Sequence, residues 1–155
     1  MKLSYIFLLF LSLSYRVSAD GISPSSIEWL PESLKKIECK IPGNTQLPGD
    51  VVLKVQGIVV GQFAQSGQHD IAMMCGDRIY IHWGGPQKCE GELIAIGDSL
   101  GIPAEGEVER YLARYKNNAW PSELSHDPLS MYYFGKSSFY KYCHKGNWLS
   151  SDGAD

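Results

Sequence analysis

The sequence predicts an α+β fold: mainly antiparallel β-sheet, laid out as a meander plus a C-terminal hairpin, with two packed helices and stabilised by disulfides. Three observations predict it. β-branched and aromatic residues gather in short runs between positions 51 and 83, each closed by a turn. The apolar period then changes to that of a helix at 108–115. Four cysteines, an even number, follow an N-terminal segment that reads as an export signal.

Lys2 precedes the apolar run at 6–11, which Ser12 breaks lightly and Leu13 continues, and Val17-Ser18-Ala19 supplies the small-x-small pattern of a cleavage site. The cut is expected before Asp20. The apolar run is far shorter than the roughly 20 residues a membrane span needs, so no span is expected after cleavage. The division is therefore a signal peptide over 1–19 and a single β-rich domain over 20–155, large enough to bury its own core. Taking Lys2 and Arg16 from the 14 basic residues leaves 12 against 17 acidic ones, a net charge of −5. Such a surface suits neither nucleic acid nor anionic membrane.

In the oxidising compartment that an export signal implies, Cys39, Cys75, Cys89 and Cys143 are expected to pair. Three connectivities are possible, and the expected one joins Cys39 to Cys75 and Cys89 to Cys143. No Cys-x-x-Cys is present, which ranks structural bridges above zinc or redox chemistry.

Ile27, Leu30, Leu34 and Ile37 recur near helical spacing and Pro31 is tolerable only in a first turn, so a short helix is expected over 31–38. Pro42, Gly43, Pro48 and Gly49 make a loop. Strands are expected at 51–63, 70–75 and 78–83, the last two joined at Gly76-Asp77, with a short fourth at 92–96. Val108, Tyr111, Leu112 and Tyr115 form the stripe of an amphipathic helix that stops at Asn117-Asn118 and packs on one sheet face. Positions 119–128 read as loop, and 137–151 as a hairpin turning at Lys145-Gly146.

The segment from Gly61-Gln62-Phe63 through Gln65-Ser66-Gly67 to Asp70-Ile71-Ala72 resembles the strand-turn-strand core of an FG-GAP-type propeller blade. That family's turn holds calcium on carboxylates. Here Gln62 and Ser66 replace the first of them and only Asp70 is left, too few oxygens for a hard cation. A single copy also cannot close a propeller. Together with Cys39-x-Ile41-Pro42, Asp70-x-Ala72-x-x-Cys75, Gly146-x-Trp148 and Gly153-Ala154-Asp155, the chain is similar to a group of small exported bacterial proteins without assigned activity. The resemblance implies a bacterial envelope origin, periplasmic or secreted, and transfers no catalytic residue.

Chemistry-bearing residues are sparse. No two histidines have metal-helix spacing, so no metal or other cofactor is expected. His69 sits in a turn where Asp70 caps the backbone, and His82 alternates with Tyr80 on a strand. Gly135-Lys136-Ser137 lacks the leading glycine of a phosphate loop, and no Gly-x-Ser-x-Gly elbow is present. His126-Asp127, in a polar loop beside Tyr132-Tyr133-Phe134, is the best candidate for acid-base work, with Glu90 and Glu92 able to converge on it in space.

Two readings follow. The first is a binding or inhibitor-like module of the envelope that shows Trp120, Tyr132, Tyr133 and Trp148, with Trp83 and Tyr140, to a protein or glycan partner. The alternative is a small hydrolase built on His126 and Asp127. A flat exposed aromatic patch favours the first, and a concave site bringing carboxylates to His126 favours the second.

Overall fold

The computed structural model describes residues 21–42, 57–115, 119–133 and 137–152. The expected leader, most of the 42–49 loop, the first part of the 51–63 strand, the helix stop at 117–118 and residues 153–155 lie outside the described residues.

Strands β1 (Ile58–Gly61), β2 (Asp70–Cys75), β3 (Arg78–His82) and β4 (Leu93–Ile94) form one antiparallel sheet in chain order. Strands β5 (Ser99–Gly101), β6 (Leu129–Tyr132), β7 (Ser138–His144) and β8 (Asn147–Asp152) form a second. Helices α1 (Glu32–Lys35) and α2 (Glu107–Tyr115) complete the α+β fold. The meander, the terminal hairpin and both helices therefore stand where the sequence predicts them. β5 and β6 do not: 99–101 is not read as a strand from sequence, and 129–132 is read only as the flank of an aromatic cluster. α1 is also shorter than the expected 31–38, because Pro31 sits extended at its N-cap and Lys36 already closes the last turn.

Side-chain alternation shows why the layers stack. In β2, Ala72 and Met74 point to a core that they share with Phe63, Ile79 and Leu93 of their own half and Leu100, Leu129 and Met131 of the second sheet. Met73 and Cys75, on the other face of β2, pack under Ile27, Leu30, Leu34 and Ile41 of the N-terminal segment. Tyr140 and Tyr142 of β7 point away from the shared core and are covered by Val108 of α2 and by Trp120. The order is thus N-terminal segment, first sheet, second sheet, α2. A strand buried on both faces loses its polar alternation, which is why β2 reads as a nearly continuous apolar run. Each of these fully buried large side chains contributes about 1.5–3 kcal/mol through water exclusion.

α2 is tied at its start. The Glu107 carboxylate reaches back to accept from Ala104 N at 3.0 Å, the backward half of a capping box, and its other oxygen accepts from Tyr140 Oη at 2.9 Å. Burial, helped by this neighbouring carboxylate, pushes the Tyr140 phenol up to about 12.

Both disulfides form as expected, Cys39–Cys75 and Cys89–Cys143, each with Cα atoms 5.7 Å apart. The first fastens the N-terminal segment to β2. The second fastens the segment after β3 to β7, and so joins the two sheets. The 36-residue separation of Cys39 and Cys75 corresponds to about 3–4 kcal/mol on the loop-entropy model. The double variant Cys39→Ala/Cys75→Ala is expected to lose about that much in urea unfolding, and equal midpoints for variant and wild type would refute the assignment.

The β7–β8 turn puts Lys145 at φ 51° and Gly146 at φ 78°, both left-handed, as a two-residue I′ hairpin demands. A lysine there carries a backbone cost of about 1–2 kcal/mol that asparagine largely avoids. Lys145→Asn is accordingly expected to raise stability by about 0.5–1 kcal/mol, read as a higher urea midpoint at unchanged m-value.

Candidate functional site

One residue organises the turn between β1 and β2. Asp70 is fully buried, and its Oδ2 accepts from Phe63 N at 2.9 Å and Ala64 N at 3.1 Å. Its Oδ1 accepts from Gln68 Nε2 at 2.7 Å and Gly84 N at 2.9 Å. Four donors and no acceptor surround it, the complement of an acceptor-only carboxylate. Gly84 comes so close that a Cβ there would collide with the His69 carbonyl, so only glycine can bring this amide in. The neighbouring Gln62 accepts from Gly67 N through its side chain, which closes the turn.

That turn in turn holds the 125–128 segment. Gln62 N donates to Asp127 Oδ2 at 2.8 Å, and Asp127 N donates to Gln62 O at 3.0 Å. Asp127 therefore works here as a clamp between the two halves of the fold. His126, next to it, lies half-buried with its ring stacked on Tyr142 at a centroid distance of 4.5 Å. Its Nε2 is 2.8 Å from the Cys143 carbonyl oxygen. A carbonyl only accepts, so Nε2 carries the proton and Nδ1 presents a lone pair. Ser125 Oγ lies 3.0 Å from that Nδ1, and Tyr142 Oη lies 3.3 Å from Ser125 Oγ while accepting from Ser125 N at 3.1 Å. Tyr142 Oη also lies 3.4 Å from His126 Nδ1, so the lone pair faces two hydroxyls, of which Ser125 Oγ is the nearer.

Burial is the main cause that lowers the His126 pKa below 6.5; the hydrogen bond to Cys143 and the charges of Asp127 and Asp70 oppose it, and His144 adds to it. Burial thus favours the neutral imidazole.

Two clefts meet at this residue. One, of about 440 Å³, is lined by Gln62, Glu105, Glu109, Ser125, His126 and Asp127 among others. The second, of about 400 Å³, lies on the other side and is lined by Lys88, Ser125, His126, Tyr142, His144 and Lys145 among others. Ser125 and His126 form the ridge between an acidic cleft and a basic one.

The aromatic residues expected to form a contact surface are dispersed. Trp120 is buried at 6% exposure, stacks on Tyr142 and donates from Nε1 to Ser150 O at 3.4 Å. Trp148 stacks on Trp83 at 6.1 Å against the inter-sheet core, and Tyr140 is buried beneath α2. Tyr132 is half-buried, and burial raises its phenol pKa above 10. Tyr133 is exposed at 40% and meets Phe139 edge-on. Glu92 pairs with Arg78 at 2.9 Å, and neither Glu90 nor Glu92 lines either cleft. His82 bonds Ser33 of α1. The carboxylates that do reach the site, Glu105 and Glu109, and the hydroxyl of Ser125 are absent from the sequence reading; only the adjacency of Ser125 to His126 could have flagged any of them.

Among the described residues no group of three or more His, Cys, Asp or Glu is placed to hold a metal ion, and no described helix is long and apolar enough to cross a membrane. No protein-family model, curated protein or solved structure matches the chain.

The lowered His126 pKa has a definite sign in stability. Between the folded value and the unfolded value near 6.5 the unfolded chain binds more protons, so stability is full above 6.5 and falls as pH drops through the folded pKa. The groups facing His126 are Asp127, Asp70, His144 and Tyr142. Wild type is expected to lose thermal stability from pH 7 to pH 5, and His126→Gln to lose less over the same interval. Parallel melting curves for the two proteins would count against this.

Proposed function

We propose that this is an exported binding module of the bacterial envelope, periplasmic or secreted, that recognises a short zwitterionic chain laid across the Ser125–His126 ridge. The observation that carries the reading is the pairing of two clefts of opposite charge on either side of one ridge. Glu105, Glu109 and Asp127 line one side, and Lys88 and Lys145 line the other. A ligand with a cationic group at one end and a carboxylate at the other meets a complementary field on both, which fixes its direction. The disulfide bonds support a life in an oxidising compartment. Dispersal of the aromatic residues moves the binding surface from those rings to the polar ridge.

A second reading, hydrolysis of the bound chain, is favoured by one specific observation, the 3.0 Å contact between the Ser125 hydroxyl and His126 Nδ1.

Exposed charge pairs are each worth about 0.2–1 kcal/mol, so affinity for a small peptide is expected in the range of about 1 mM. Titration of isotope-labelled protein with the tripeptide Lys-Ala-Ala is expected to shift the amides of Glu105, Glu109, Ser125, His126 and Lys145. Glu105→Gln/Glu109→Gln is expected to weaken binding roughly two- to thirtyfold, and 0.5 M salt to weaken it further. Shifts scattered away from the ridge, or none, would overturn the reading.

A further inference from the structure

We propose that Ser125 is a nucleophile, with His126 as its general base, able to accept an acyl group from an ester or amide carbonyl. The proposal rests on the ridge being the place where ligand lies, and names what happens to that ligand. Its basis is geometric. The Cys143 carbonyl fixes the imidazole tautomer from the far side, and the Nδ1 lone pair meets the Ser125 hydroxyl at 3.0 Å, within the reach that proton transfer requires. Ring stacking on Tyr142 fixes the imidazole plane. Ser125 is itself exposed and lines both clefts, so the attacking oxygen stands where a chain on the ridge would pass.

The step balances with the residues at hand. Ser125 Oγ forms a bond to the carbonyl carbon while its proton passes to His126 Nδ1. Collapse of the tetrahedral adduct breaks the bond to the leaving oxygen or nitrogen, which takes that proton. Water then attacks the acyl-Ser125 ester, again with His126 receiving the proton and returning it to Oγ, and a carboxylic acid leaves. Ser66 and Gln62, which line the acidic cleft, carry a hydroxyl and a side-chain amide N–H as donors.

A backbone carbonyl stands where a catalytic triad has a carboxylate. Asp127 does not substitute, since one of its oxygens is held by Gln62 N. A carbonyl stabilises an imidazolium less than a carboxylate does, so the device is a weak one and suits activated esters better than amides. Because burial already disfavours the imidazolium, His126 stays available as a base to below the ordinary histidine range.

The test is covalent labelling of the full-length exported protein with phenylmethylsulfonyl fluoride, followed by peptide mass mapping. Attack of Ser125 Oγ on sulfur displaces fluoride, and one sulfonyl group is expected on Ser125. Ser125→Ala, whose side chain is exposed, is expected to keep the wild-type near-ultraviolet circular dichroism and lose the adduct. His126→Gln is expected to slow labelling at least roughly a hundredfold, the scale of general-base assistance. The wild-type labelling rate is expected to fall on acidification with a midpoint below 6.5. No adduct on Ser125, or a rate unaltered in a folded His126→Gln protein, overturns the proposal. The probe is uncharged, so this result is independent of peptide binding: loss of Lys-Ala-Ala binding with labelling intact removes the zwitterionic ligand and leaves the nucleophile.

Discussion

The Asp70 carboxylate is the constraint on which the rest of the molecule depends. Removed from water, it has no stable state except one in which every lone pair is met by a donor, and the fold supplies four. Two segments are thereby brought to one point: the β1–β2 connection, through Phe63, Ala64 and Gln68, and Gly84 after β3. Gln68 extends the network outward by exchanging hydrogen bonds with the backbone of Gln87, two residues before the Cys89 half-cystine. The turn cannot adopt a second shape without stripping hydrogen bonds from a buried ion, which is costly by several kcal/mol. Gln62, held within that turn, then presents the backbone groups that clamp Asp127.

Placement of the site follows from this chain of ties. The first sheet carries the Asp70 turn, the second carries Tyr142 and Cys143, and the 125–128 segment is bound to both. On one side the Gln62–Asp127 exchange holds it, and on the other the His126–Cys143 and Ser125–Tyr142 contacts do. Cys89–Cys143 crosses between the same two halves. A loop with no regular structure of its own is thus fixed at both flanks, the condition under which a hydroxyl and an imidazole keep a defined separation.

What the sequence reveals, and what it hides, follows from the same architecture. β2 and β3 are legible because β-branched and apolar side chains fill 70–82 and Gly76, at φ 63°, supplies a hairpin turn. The β7–β8 hairpin is legible through Lys145-Gly146. β5 is three residues, two of them Ser99 and Gly101, and carries one apolar side chain, too little for any periodicity. β6 hides for the opposite reason: Leu129, Ser130 and Met131 are all buried, so no polar alternation marks it as a strand. The aromatic residues were ambiguous in principle, since Trp120 and Tyr140 have the same composition signature in a core as on a surface. His126 and Asp127 are visible as residue types, but the roles they take here are set by Cys143 and Gln62, at sequence distances that no local pattern encodes.

The two histidine neighbours of Tyr142 show how the fold separates roles that the sequence leaves equal. His126 and His144 both stack on this ring, at 4.5 and 6.3 Å. His144 lies on β7, where strand geometry fixes its backbone and the ring lines only the basic cleft. His126 lies in the 125–128 segment, lines both clefts, and has its protonated nitrogen taken by a β7 carbonyl, so the remaining lone pair is aimed at a neighbouring hydroxyl. A positive charge on His144 disfavours a second on His126, which adds to burial in keeping the latter neutral. The carboxylates of Asp127 and Asp70 act in the opposite sense. The ridge is where these fields meet. A neutral imidazole there, held by main-chain geometry rather than by a carboxylate partner, is available to accept a proton without first having to give one up.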